Sequence, residues 1–105
     1  MTENEFLILT FFLGKKMQVY TKQSLYDAYK VGALEIATKI EKDLYESAKY
    51  FPDHFEYKEK IFGNRRVLEE VLRLLIGAFP GISVTMEYTP EDSGQGMAVF
   101  KIDWS

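Results

Sequence analysis

A chain of 105 residues is long enough for one domain that buries roughly two thirds of the surface its unfolded form exposes. A hydrophobic content of 47% with 15% aromatics excludes the composition of a disordered chain, and a net charge of −3 excludes a global electrostatic pull toward nucleic acid or anionic membranes. The absence of cysteine removes disulfides, thiol catalysis and thiolate metal sites together.

The longest apolar run, Phe6 to Leu13, falls far short of the roughly 20 residues needed to span a bilayer. Glu3 and Glu5 precede it where a signal peptide would carry positive charge, so a cytoplasmic location is expected. Periodicity alone does not decide between helix and strand for this run, because both faces of either are apolar. Its punctuation favours a helix. Thr2 and Glu5 have capping-box spacing, and Lys15 and Lys16 sit where the last turn welcomes cations. A hairpin turning at Gly14-Lys15-Lys16 and pairing the run with Met17 to Thr21 is the competing reading.

Ser24 and Asp27 repeat the capping-box spacing, which starts a helix near Gln23. Ala33, Ala37, Ile40, Leu44, Ala48 and Phe51 then recur at spacings of three and four, making one long amphipathic helix that Gly32 is placed to interrupt. Pro52-Asp53 ends it. From His54 to Gly63 the pattern is the least regular in the chain, with room for a short strand near Phe55 to Tyr57.

Asn64 is a suitable N-cap for the next helix, in which Leu68, Val71, Leu72, Leu75, Ala78 and Phe79 follow the i, i+3, i+4, i+7 rule. Pro80-Gly81 closes it. Ile82, Val84, Met86 and Tyr88 then alternate with polar residues, as do Ala98, Phe100, Ile102 and Trp104. Matching the apolar faces of an antiparallel hairpin sets Tyr88 opposite Ala98, Met86 opposite Phe100, Val84 opposite Ile102 and Ile82 opposite Trp104. The intervening Pro90 to Gly96 reads as a surface loop too long for a two-residue turn.

The resulting fold class is α+β: three helices packed on one face of a small antiparallel sheet ending in a C-terminal β-hairpin (82–89, 97–104). Two strands alone are marginal. Either the segment near Phe55 to Tyr57 supplies a third, or a second copy completes the sheet, which makes a homodimer an expectation. No repeat or Gly/Ser linker divides residues 1–105 into two domains.

No motif carries a specific chemistry. Asp53-His54-Phe55-Glu56 sets the only histidine between carboxylates, but zinc needs three or four convergent ligands, and a solvated loop explains the cluster. Glu91 to Gly96 lacks the Lys-Ser/Thr and following helix of a phosphate loop, and the alternating acidic ligands of an EF-hand. No catalytic residues, cofactor or metal are therefore expected.

What the pattern does offer is contact surface. Lys58, Lys60, Arg65 and Arg66 interleave with Phe55, Tyr57 and Phe62, a mixture able to hold phosphates and stack bases, diluted by Glu56 and Glu59. Tyr20, Tyr26, Tyr29, Tyr45 and Tyr50 enrich the first half in a residue favoured at protein interfaces. The candidate interaction surface is Tyr26, Tyr29, Phe55, Tyr57, Lys58, Lys60, Arg65 and Arg66. The expected function is a non-enzymatic protein-interaction module, a small regulator or inhibitor that occludes a partner protein.

One resemblance supplies an alternative. The order Phe6 to Leu13, a basic turn, extended Gln18-Val19-Tyr20, then Thr21-Lys22-Gln23-Ser24-Leu25 opening a helix resembles the start of winged-helix regulators. That resemblance implies a DNA-binding transcriptional regulator with the terminal hairpin as its wing. The chain departs from the pattern in lacking a base-reading helix after Lys30 and in carrying an acidic hairpin loop.

Overall fold

The computed structural model describes residues 19–105. The expected helix over Phe6 to Leu13, its competing hairpin and the start of the expected extended segment at Gln18 lie outside the described residues. The elements are α1 (Lys22–Tyr26), α2 (Ala28–Tyr50), β1 (Glu56–Asn64), α3 (Arg65–Ala78), β2 (Ser83–Asp92) and β3 (Gln95–Asp103). The class is the expected α+β, with helices packed on an antiparallel sheet that ends in a C-terminal hairpin.

The helical region starts with a different cap from the one its spacing suggests. Thr21, not Ser24, is the N-cap. The Ser24 amide donates to Thr21 Oγ1 at 3.1 Å and the Thr21 amide to Ser24 Oγ at 2.8 Å, satisfying two donors that the first turn leaves free. The chain breaks at Asp27, where ψ is 0°, rather than at Gly32, which α2 carries in its interior. Asp27 makes no capping bond with its side chain. Its carboxylate instead accepts from Gln23 Nε2 at 2.8 Å.

The segment expected to be least regular is a nine-residue strand, β1. It makes the sheet three-stranded in the order β1-β3-β2, with β3 antiparallel to both neighbours. β1 and β2 therefore run in the same direction without touching, and α3 carries the chain between them. The hairpin register is the expected one: Val84 pairs with Ile102, Met86 with Phe100 and Tyr88 with Ala98. Ile82 and Trp104 fall just outside the ladder. The loop expected over Pro90 to Gly96 is shorter than its composition suggests, because Pro90 and Gly96 are themselves paired. The turn is Ser93-Gly94, both at positive φ (51° and 74°), as in a two-residue primed turn. The register irregularity between Pro90 and Asp92 absorbs Glu91.

Asn64 caps α3 as expected, its Oδ1 accepting from the Arg66 amide at 2.9 Å. Phe79 and Gly81, the latter at φ 79°, end the helix. Ala33, Ala37, Ile40 and Leu44 of α2, Leu68, Val71 and Leu75 of α3, and Ala98, Phe100 and Ile102 of β3 form the buried core. β3 is the central strand, so its apolar set is wholly buried, whereas Tyr57, Ile61, Val84, Met86 and Tyr88 on the flanking strands are partly covered. α2 and α3 run in the same direction, since Tyr29 near the start of α2 meets Arg66 at the start of α3, and Lys39 further along α2 meets Glu59 of β1.

Candidate functional site

Strand alternation gives the sheet two different faces. β1 and β3 alternate in exposure along their length and β2 does so up to Tyr88, beyond which it is exposed on both sides; the covered set faces the helices. The opposite set forms a face that no described helix covers. Its rows, read from β1 across β3 to β2, are Glu56, Asp103 and Ser83; Lys58, Lys101 and Thr85; Lys60, Val99 and Glu87; Phe62, Met97 and Thr89.

This face has an organised charge pattern. Lys58 and Lys101 are directly opposed, a like-charge pairing that destabilises unless something lies between them. Glu56 does, with Oε2 3.2 Å from Lys101 Nζ and Oε1 3.4 Å from Lys58 Nζ. Lys101, and after it Lys58, hold the Glu56 carboxyl below the ordinary carboxylate range. Beside this cluster Lys58, Thr85, Glu87, Val99 and Lys101 line a shallow depression. Toward the hairpin turn the surface becomes apolar, with Val99, Met97 and Phe62, the last 54% exposed. The face thus combines an apolar end, three lysines and three carboxylates.

The residues singled out from sequence do not form one surface. Lys58 and Lys60 point to the open face, and Phe62, their aromatic neighbour, joins them. Tyr57 has the opposite parity and faces the helices. Arg65 and Arg66 sit at the start of α3, where each packs over an aromatic ring: Arg65 over Tyr88 at 5.4 Å and Arg66 over Tyr29 at 4.4 Å. Arg65 also donates to Glu69 at 2.9 Å. Arg65 thus links the start of α3 to β2 near the hairpin turn, and Arg66 links it to α2. Tyr26 is exposed on α1, and Phe55 is exposed just before β1, its carbonyl accepting from the Trp104 amide at 3.0 Å.

Tyr57 belongs to a polar cluster at the seam between α2 and β1 that sequence spacing does not reveal. Its hydroxyl donates to Glu59 Oε2. Lys39 Nζ donates to Glu59 Oε1 at 3.1 Å and to Asp43 Oδ2 at 2.8 Å. Glu59 has only 19% of its side chain exposed and lies on the helix-covered face opposite Phe100, so it needs these partners. Burial first, and then the Glu59 carboxylate, push the Tyr57 hydroxyl well above its ordinary value, while Asp43 and Glu59 raise Lys39. Every polar group here is matched, and the arrangement acts as a latch between helix and edge strand. Within α3, Glu70 pairs with Arg73 three residues on, and Arg73, mainly by its hydrogen bond, keeps the Glu70 carboxyl below its ordinary range.

His54 stacks on Phe51 with ring centroids 5.6 Å apart, which gives it a packing role after α2. Among the described residues no group of three His, Asp or Glu side chains is placed to hold a metal ion, and no helix is long and apolar enough to cross a membrane. Between β1 and the hairpin there is a single helix, α3, and the hairpin tip carries Glu91 and Asp92. Comparison with protein-family models, curated proteins and solved structures finds nothing that matches this chain.

Proposed function

We propose that this chain is a non-enzymatic module that binds another protein through the open face of its sheet and regulates that partner by covering its surface. The observation that carries the reading is the one-sidedness of the sheet. Phe62, Met97 and Val99 stand on a face that none of the described elements covers, beside Lys58, Lys60, Lys101 and Glu87. An apolar patch adjoining charged and polar residues is a combination common at protein interfaces. Glu56, Glu87 and Asp103 balance the three lysines, which suits a mixed protein surface better than a phosphate backbone, whose binders need a basic stripe. The cytosol is the compartment proposed for this activity.

Affinity capture from a native lysate, with nuclease added, tests the proposal. Wild-type protein is expected to retain a partner near one-to-one stoichiometry. Phe62→Glu/Val99→Glu is expected to lose it while keeping the wild-type melting temperature, because both side chains lie outside the core. Capture of no partner, or retention of the same partner by the double variant, would overturn the assignment. The winged-helix alternative has a different signature, binding to duplex DNA that weakens steeply with salt.

A further inference from the structure

The two outer strands of the sheet are not equally protected. An edge strand carries a row of backbone N–H and C=O groups able to template further pairing, and proteins blunt such edges with lysines, inward-pointing charges, prolines or bulges. β1 has these devices. Glu56, Lys58, Glu59 and Lys60 are four of its first five residues, and Glu59 points inward, tied to α2 through Lys39. β2 has none of them before Pro90. Ser83 to Thr89 holds one charge, Glu87, and no lysine, and its register irregularity comes only between Pro90 and Asp92. Among the described residues its one ladder partner is β3, and no further backbone hydrogen bond involves positions 83–89. Val84, Met86 and Tyr88, which face the helices, are only partly covered.

We propose that the outer edge of β2 pairs antiparallel with the same edge of a second copy, joining two three-stranded sheets into one. The strand is complementary to itself in one register. A two-fold axis must pass through a residue, because a half-step register would set helix-facing side chains against open-face ones. An axis through Glu87 would oppose that carboxylate to its own copy. An axis through Thr85 would draw Gly81, at φ 79°, into the ladder opposite Thr89, and that backbone is not a strand's. Through Met86 the axis sets Val84 opposite Tyr88, Thr85 opposite Glu87 and Ser83 opposite Thr89. Apolar groups then meet apolar groups, each carboxylate meets a hydroxyl, and Pro90, which has no N–H to give, lies beyond the last rung. The axis stands perpendicular to the sheet, so both helical layers lie on one side of it. Main-chain bonds supply the affinity, as in other strand additions. The charged edge of β1 stops further growth, which leaves a closed, isologous dimer. This pairing rests on the edge alone and is independent of the reading of the open face.

Sedimentation equilibrium of the full chain over a dilution series tests the pairing. Wild-type protein is expected to pass from dimer to monomer on dilution. Thr85→Glu sets a carboxylate against Glu87 of the partner subunit on two rungs, and is expected to raise the dimer dissociation constant by about tenfold. Adding Glu87→Lys turns both rungs into opposite-charge pairs and is expected to restore association. Both positions are exposed, so the variants should melt with the wild type at concentrations where all are monomeric. Hydrogen exchange on the wild type reads the edge without a variant: the outward amides of positions 83–89 should slow as concentration rises, and those of positions 56–62 should not. A chain that stays monomeric throughout, association unchanged by Thr85→Glu, or a loss that Glu87→Lys does not reverse would overturn the proposal. So would outward amides of positions 83–89 protected equally at every concentration, which would assign the edge to a contact within one chain.

Discussion

Replacing Gly96 by alanine should strain the sheet at the point where its hairpin is tightest. Gly96 is buried on the helix-covered side of β3, and a Cβ there would lie 2.4 Å from the Thr89 carbonyl oxygen and 2.7 Å from the Tyr88 ring and hydroxyl. Tyr88 can swing away, at the expense of its contact with Arg65. The Thr89 carbonyl cannot, because it belongs to the paired backbone of β2. The two strands must separate near the turn. Overpacking of this kind costs about 1–3 kcal/mol, and a backbone obstacle places Gly96→Ala in the upper half of that range. For a domain of this size the melting temperature should fall by about 10–20 °C. The same substitution at Gly32 has the opposite sign. Nothing lies within 4 Å of a Cβ there, and the residue is inside α2, so alanine should stabilise by about 0.5–1 kcal/mol. Thermal and urea unfolding followed by circular dichroism measure both. A Gly96→Ala protein that melts with the wild type would refute the packing argument, as would a Gly32→Ala protein that melts lower.

Three further outcomes follow from the polar contacts and the turn. The folded state raises the Tyr57 hydroxyl above its ordinary value, so its contribution is complete below about pH 10 and is lost as the pH rises further. Tyr57→Phe should cost about 1 kcal/mol at neutral pH and make the alkaline loss of stability shallower, as read from urea midpoints across pH. The Glu70 carboxyl is lowered by Arg73, so its contribution is present above the ordinary carboxylate value of about 4.3 and is lost as the pH falls. Glu70→Gln should therefore flatten the acid limb of the same profile. Ser93 holds φ at 51°, a conformation that glycine adopts without penalty, and Ser93→Gly should raise stability by about 0.5–1 kcal/mol in thermal melts.

The parts of the fold legible in the sequence are those where one physical signal acted alone. The hairpin register followed from alternation, because a one-residue slip would have exposed Phe100 and Ile102. α3 followed from Asn64 and its apolar spacing. β1 was obscured because its inward set includes Glu59, a carboxylate that Lys39 and Tyr57 make tolerable only after α2 has docked. The hairpin turn was hidden by Pro90 and Gly96, which look like loop residues but belong to the ladder, leaving Ser93-Gly94 as the true turn. The helix start expected near Gln23 lies one residue from the observed Lys22, but its capping pair was misassigned, because Thr21-Ser24 and Ser24-Asp27 share one spacing and only the first makes reciprocal bonds. The candidate surface was the least legible feature. Lys58, Lys60 and Phe62 could be grouped by parity once β1 was known, but Lys101, Met97 and Val99 reach them through pairing across some forty positions. Arg65 and Arg66 look available in sequence, yet each covers a tyrosine.

Site-specific photocrosslinking in cells tests the open face most directly. A photoreactive phenylalanine analogue is placed singly at Phe62, at Val99 or at Glu41, the last on the exposed side of α2. Positions 62 and 99 are expected to yield an adduct with one and the same partner protein, and position 41 none. Adducts from position 41 alone, or none from positions 62 and 99, would contradict the assignment of the open sheet face as the binding surface.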